Sequence, residues 1–232
     1  MSLKRALSDV KKSKAFFNGY QKKLTKLYHE RLRIQNLYNY EDHFHKKGRQ
    51  FVAGLDEAGR GSLAGPVVAA AVILPEYFFI PEIKDSKKLT PKKRIEIYPK
   101  IFNKAIDVGI GIVEAAIIDK INIAQATFLA MKRAINHLAN KPDGLLVDGF
   151  EIPKINTPQL ALIKGEDKSI SIAAASIVAK VYRDNLMILL DQEFPHYNFK
   201  KNKGYGTKEH FQALRKYQAT KIHRKSFAGV IK

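Results

Sequence analysis

The spacing of hydrophobic positions changes along this chain, and each change marks a new element. Residues 4 to about 38 carry Tyr20, Leu24, Leu27 and Tyr28 at helical intervals among lysines, with no proline to interrupt them, which predicts a long basic amphipathic helix. The polar stretch Glu41-Asp42-His43-Phe44-His45-Lys46-Lys47 and Gly48 end that pattern. Three Val- and Ile-rich runs follow at 51–55, 67–74 and 108–114, separated by Gly and Pro as strands are. Pro91 to Asn103 reads as an intervening helix. Asn122 is placed to cap a helix running to about 139, with Gln125 set for a reciprocal cap and Phe128, Met131, Ile135 and Leu138 on one stripe. Lys141-Pro142-Asp143-Gly144 stops it, and Leu145-Leu146-Val147 is a short buried strand ending at Asp148-Gly149, before Ile152-Pro153 breaks regular structure. Lys168 to about Leu190 is a long alanine-rich helix, and a helical piece near 207–217 sits in the tail. Strands first and helices alternating later predict an α/β layered domain.

These boundaries divide the 232 residues into a basic helical N-terminal extension, 1–48, and a domain, 49–232, whose last stretch from about 200 is a basic helical segment. Charge follows the division. Residues 1–50 hold 13 Lys+Arg against 4 Asp+Glu, residues 200–232 hold 10 against 1, and the 149 residues between are balanced at 18 against 17, so the ends supply 18 of the formal +19. Lysine and arginine clustered this way gain affinity for phosphates by releasing condensed counterions, which makes nucleic acid the expected partner. No run approaches the about 20 mostly apolar residues that a membrane span needs, and the first residues do not form a secretion signal. The expected location is the cytoplasm and the expected oligomeric state monomeric.

Several chemistries are excluded outright. With no cysteine there is neither a disulfide framework, nor a thiolate metal site, nor a cysteine nucleophile. No phosphate-loop or dinucleotide fingerprint is present. The seven histidines offer no clear general base: His29, His43, His45, His137, His196 and His210 read as surface or core-edge residues.

What remains is Val52-Ala53-Gly54-Leu55-Asp56-Glu57-Ala58-Gly59-Arg60-Gly61, an apolar strand that delivers two adjacent carboxylates into a glycine-arginine-glycine turn. Successive strand side chains point to opposite faces, so Asp56 and Glu57 are expected to act together only if the strand ends between them. The glycines let backbone amides approach a ligand, and Arg60 adds a charge suited to phosphate. Hard oxygen donors select Mg²⁺ or Mn²⁺, a pair of which, about 4 Å apart, serves phosphodiester hydrolysis. Asp148, at another strand end, is a second candidate.

Asp56 to Gly61 with Leu63-Ala64-Gly65-Pro66-Val67, Asp85-Ser86-Lys87-Lys88-Leu89, Val147-Asp148-Gly149, Lys164-Gly165, Ser171 to Lys180, Lys203-Gly204-Tyr205-Gly206-Thr207 and His223-Arg224-Lys225-Ser226-Phe227 resemble, in order, the motifs of the type 2 ribonucleases H, specifically the bacterial ribonuclease HII family. The resemblance implies a ribonuclease H-like fold, a central mixed sheet flanked by helices, and endonucleolytic cutting of RNA in RNA–DNA hybrids and at single ribonucleotides embedded in DNA. It places the metal-binding, catalytic acids on Asp56, Glu57 and Asp148. The fourth acid departs from the family's usual Lys-Gly-Asp: this chain reads Lys164-Gly165-Glu166-Asp167, so register assigns Glu166, with Asp167 as the neighbouring alternative. Asp184 lies too far along the alanine-rich helix and is expected to be structural.

For the substrate, Gly59-Arg60-Gly61 fits recognition of a 2′-hydroxyl by backbone groups, and the family's junction-packing aromatic matches Tyr205. Lys87, Lys164 and Lys180 are candidates for phosphate contacts or carboxylate partners. Two rivals are weighed beside this reading. The sister class ribonuclease HIII shares a glutamate as fourth acid and an N-terminal domain, but has a threonine-containing turn where this chain has Gly59-Arg60-Gly61. The other rival is a non-catalytic nucleic-acid binder, against which the intact set of acids speaks.

Overall fold

The computed structural model of the protein describes residues 3–76 and 78–230, so the outermost residues of the extension and tail lie outside the described residues. Five strands form one sheet in the order β3-β2-β1-β4-β5, comprising β1 Val52–Ala58, β2 Val67–Ile73, β3 Asp107–Val113, β4 Gly144–Asp148 and β5 Gln159–Leu162. β1, β2 and β3 pair antiparallel, whereas β4 runs parallel to both β1 and β5, so the sheet is mixed. Among the described residues seven α-helices accompany it: α1 Leu3–Asn36, α2 Asn39–His45, α3 Pro91–Lys104, α4 Ala115–Asn136, α5 Ile170–Glu193, α6 Phe199–Asn202 and α7 Lys208–Tyr217.

The alternation of strand side chains sorts them between two helical layers. Ala53, Leu55, Ala69, Ala71, Leu145 and Val147 pack with Ala126, Ala130, Met131 and Ala134 of α4. On the opposite face Ala70 and Val72 pack with Ala173, Ala174, Ile177 and Val178 of α5, and Ile97 and Ile101 of α3 close that cluster. Small side chains on both partners bring α5 close: a β-carbon on Gly54 would lie 2.2 Å from the Ser171 backbone carbon. A third cluster, Leu63, Ala64, Met187, Tyr197, Phe199, Ala213 and Leu214, fastens the C-terminal segment to α5 and to the turn after β1.

The four predicted strands are β1 to β4, and the long alanine-rich helix is α5. Asn122 does cap: it interrupts α4 with φ 66° and accepts from Gln125 N at 3.1 Å. The helical turns of 115–121 before it, together with α2 and β5, were not anticipated. β5 is four residues, Gln-Leu-Ala-Leu, with no β-branched side chain. α2 is largely polar, yet it is a docked element. Phe44 is buried against Val52, Leu146 and Ile172, and Ile34 and Leu37 at the end of α1 join the α5 cluster. Residues on both sides of Gly48 therefore share the core.

Candidate active site

Parallel pairing of β1 and β4 runs through Leu55 with Val147, and the next position on each strand is an acid. Asp56 and Asp148 thus stand side by side at the carboxyl ends of adjacent parallel strands, where open α/β sheets gather ligands. The expectation that β1 ends between Asp56 and Glu57 is corrected: the strand continues to Ala58, held by β2 through Asp56–Ala70, Glu57–Ala69 and Ala58–Val68. What ends is the other edge. Beyond Asp148 there is no β4 to separate the faces of β1, so carboxylates from both faces can turn over the same free edge.

Glu166 arrives from a single 3₁₀ turn, Gly165–Asp167, just before α5. Gly165 N donates to Asp148 Oδ1 at 2.7 Å, which ties this turn to the end of β4. Asp56 and Glu166 are 4% and 7% exposed. Glu166 Oε2 is buried without a hydrogen-bond partner. Asp167 differs in both respects, being exposed and gripped by Lys88 Nζ at 2.5 and 2.6 Å.

The acids sense one another. Burial pushes the Asp56 carboxyl well up, and the charges of Glu57 and Asp148 push it further, against the Ser176 hydroxyl and the Glu57 amide. Glu57 is raised by burial first, then lowered by Arg60 and raised again by Asp148. Glu166 is raised by burial and by Asp148, with Lys87 opposing. Among the described residues no three such groups close on one point as a finished cage. The donor set is all hard oxygen, and Glu166 Oε2 is left buried without a partner on a carboxyl that senses the Asp148 charge. Both fit a divalent cation held by Asp56, Glu57, Asp148 and Glu166.

Cations rim the acids. Arg60 Nη1 lies 3.5 Å from Glu57 Oε1, with its guanidinium 5.3 Å over the exposed Phe150 ring. Lys87 Nζ lies 3.6 Å from Glu166 Oε1 on an exposed side chain. Lys180 is instead bound to Asp184 at 2.7 Å and sits 5.4 Å from the Tyr205 ring centre, so the structure gives Asp184 a salt bridge within α5. Lys164 is exposed at the left-handed start of the 3₁₀ turn. Tyr205 is 36% exposed, with Arg183 5.6 Å from its ring on the same side of the molecule as the Gly59–Gly61 turn.

That turn is built from beneath by two arginines that sequence reasoning did not single out. Arg183 and Arg224 are fully buried. Arg183 donates to the carbonyls of Pro66, Lys203 and Ala64 at 2.8, 2.9 and 3.1 Å. Arg224 donates twice to Gly65 O, at 3.0 and 2.9 Å, and to Arg60 O at 2.8 Å. Gly59, with φ +92°, lies directly over Arg183, while Gly61 has nothing within 4 Å of the place a β-carbon would take. The expectation that His210 lies at the surface or core edge is also corrected: His210 and His223 are 0% and 1% exposed, joined Nε2 to Nε2 at 3.0 Å. Thr220 N donates to His223 Nδ1, so His223 Nε2 carries the proton given to His210, whose Nδ1 then donates to Tyr205 O at 2.9 Å. A neutral imidazole pair thereby anchors the loop that carries Tyr205.

The sequence profile of the ribonuclease HII family matches residues 53–230. The ribonuclease HII of Lactobacillus acidophilus is 53% identical over 212 residues, covering 91% of this chain and 84% of that protein. Among solved structures, ribonuclease H2 from Pyrococcus horikoshii superposes with a TM-score of 0.66 at 27% identity, covering 78% of this chain and 95% of that one. A Bst ribonuclease HIII in complex with Mn²⁺ superposes at 0.59 with 19% identity, over 80% of this chain and 70% of that one, and shares the fold. Among the described residues no helix is long and apolar enough to cross a membrane. This chain belongs to the ribonuclease HII family, and it is a divalent-metal-dependent endoribonuclease that acts on nucleic acid.

Proposed function

We propose that this enzyme nicks duplex DNA at embedded ribonucleotides and cuts the RNA strand of RNA–DNA hybrids, using Asp56, Glu57, Asp148 and Glu166 to hold two Mg²⁺ or Mn²⁺ ions. The observation that carries the proposal is Glu166 Oε2, buried and without a partner, on a carboxyl that burial and the Asp148 charge push up, as burial and neighbouring carboxylates also push up Asp56 and Glu57. When bound, the ions activate a water and neutralise charge on the scissile phosphate and leaving oxygen. The protein's own groups do the rest. Gly165 N holds Asp148 and the Glu57 amide holds Asp56 in place. Arg60 and Lys87 offset the carboxylate charge that would otherwise repel a polyanion, and both are exposed enough to meet a phosphate.

Selection of a ribonucleotide falls to the Gly59–Gly61 turn, whose open backbone at Gly61 suits a 2′-hydroxyl, and to Tyr205, whose exposed ring suits the sugar at the junction. Lys164 serves as a flanking phosphate contact while Lys180 stays the carboxylate partner of Asp184, the basic segment from about 200 carries the duplex, and the basic residues of the 1–48 extension ahead of its docked part add affinity. The protein is read as a cytoplasmic monomer.

The test is a DNA duplex carrying one ribonucleotide, incubated with Mg²⁺, Mn²⁺ or chelator, comparing the wild type with Asp56→Asn. Metal-dependent nicking at the ribonucleotide, lost in the variant, is expected. Cleavage confined to longer hybrids, or binding with no cleavage, refutes the proposal.

A further inference from the structure

The first turn of α5 is capped largely by residues from the extension. Like any helix start it presents backbone N–H groups with no partner inside the helix. Ile170 N donates to Leu37 O at 3.1 Å, across from the α1–α2 connection. Ser171 N donates to Glu41 Oε1 at 3.0 Å, and the hydroxyls of Ser169 and Ser171 both reach the same oxygen at 2.6 Å. Ile172 N is taken by Ser169 Oγ at 3.2 Å. Glu41 is 3% exposed and Ser169 and Ser171 are wholly buried, so a carboxylate from α2 has been taken out of water to sit on this helix end. An anion there is favoured by the helix dipole.

The turn that Glu41 grips is continuous with the active site. Ser169 N and Lys168 N both donate to Gly165 O, at 2.8 and 2.9 Å, closing the 3₁₀ turn that carries Glu166. Gly165 N in turn donates to Asp148 Oδ1. A hydrogen-bonded path therefore runs from Glu41 through Ser169 and Gly165 to Asp148, with Glu166 borne on its middle. Gly54 lets the same helix turn settle on β1, two residues before Asp56 and on the same face.

We infer that Glu41 is a positioning residue for the Glu166 turn, so that the docked part of the extension, α2 and the end of α1, sets the geometry of the cation site rather than adding to duplex affinity. The inference rests on Glu166 being a cation ligand, but one of its readouts does not.

The experiment compares full-length wild type with Glu41→Ala, Glu41→Gln and Ser171→Ala, well below their melting temperatures. Amide exchange over residues 165–172 is measured without metal, Mn²⁺ binding by calorimetry with the metal alone, and cleavage at saturating metal. Glu41→Ala is expected to exchange faster over 165–172, to bind Mn²⁺ about tenfold more weakly and to turn over about tenfold more slowly, with the duplex KM and its salt dependence unchanged. Glu41→Gln keeps an accepting oxygen at the same place and should stay within about threefold of wild type, and Ser171→Ala should shift in the direction of Glu41→Ala by about threefold. Should Glu41→Ala fail to fold, Ser171→Ala decides alone. Unchanged exchange and Mn²⁺ affinity in the folded variants overturn the inference, as does a changed KM and salt slope at normal turnover. If wild type itself binds no Mn²⁺, the proposed cation site fails, while faster exchange in Glu41→Ala still supports the positioning role.

Discussion

Arg183 fills the space where a side chain on Gly59 would begin: a β-carbon there would stand 1.9 Å from its Nε and 2.6 Å from its guanidinium carbon. The glycine-arginine-glycine turn therefore owes its first glycine to the protein's own interior and its last to open space. Gly59→Ala must both adopt φ +92° and displace a buried guanidinium that holds three carbonyls, which is expected to cost on the order of 3 kcal/mol and to abolish nicking. Gly61→Ala meets no protein atom, so its melting temperature should match wild type while nicking falls by about tenfold or more, since the new methyl then occupies space needed by the substrate. Thermal melts beside nicking assays separate the two. Equal stability and equal activity for Gly61→Ala would remove that glycine from the substrate interface.

Glu166 and Asp167 are neighbours in sequence but not in environment. Glu166→Gln should reduce cleavage by at least about a hundredfold while leaving the fold intact or firmer, because it removes one charge from a repelling group. Asp167→Asn gives up only an exposed ion pair to Lys88, which solvent screens, and should cleave within about threefold of wild type. The reverse pattern in a single-turnover assay would move the fourth acid to Asp167.

Tyr205 has the cations of Lys180 and Arg183 within 5.4 and 5.6 Å of its ring centre, and the ring is partly open to solvent. Tyr205→Ala should slow cleavage at a single embedded ribonucleotide by about tenfold, in keeping with the loss of one aromatic stack, and Tyr205→Phe should retain most of the rate. An unaffected rate in Tyr205→Ala would place the ring outside the junction.

Much of this architecture is legible in the sequence because it is local. Runs such as Val67–Ile73, bounded by Gly and Pro, read as buried strands, and acids at two predicted strand ends, Asp56 and Asp148, mark a candidate site before any contact is known. The residues that escaped notice share a different property: their partners are distant. Glu41 bonds to Ser169 across 128 positions, Arg183 to Pro66 across 117, and Arg224 to Arg60 across 164. Nothing in the periodicity around a lone Arg or Glu tells a solvated charge from one buried against backbone carbonyls or a helix end. The same holds for His210 and His223, whose burial follows from tertiary docking of the C-terminal segment.

The long exposed part of α1 offers a separate test of affinity. Lys22 and Lys23 are exposed, and Phe17, Tyr20, Leu24 and Tyr28 beside them are 58, 53, 43 and 62% exposed. Substituting both lysines with glutamine should raise the duplex concentration needed for half-maximal cleavage and lower the slope of log affinity against log salt by about one to two, with turnover unchanged. Deletion of the whole extension is the poorer experiment, because it also removes Ile34, Leu37 and Phe44 from the core. An unaltered salt slope would assign this helix to something other than nucleic acid.

The imidazole pair makes the fold acid-sensitive in a definite direction. Burial and the adjoining His210 push the His223 ring down to about 4, and burial lowers His210 as well, so both are neutral in the folded state at neutral pH. Unfolding returns them to about 6.5, where they bind protons the native state refuses. Their contribution to stability is therefore complete above about pH 6.5 and is lost as pH falls toward 4. For His223 alone the loss between pH 7.5 and 5 is about 2 kcal/mol. His223→Gln is neutral throughout, and a side-chain oxygen can take the hydrogen bond from Thr220 N. It should be less stable than wild type at pH 7.5, yet lose about 2 kcal/mol less on acidification, read from urea unfolding midpoints at the two pH values. The comparison between the two proteins cancels the opposing titration of the buried acids near Asp56. Parallel pH profiles for wild type and variant would show that His223 is not held neutral by the fold.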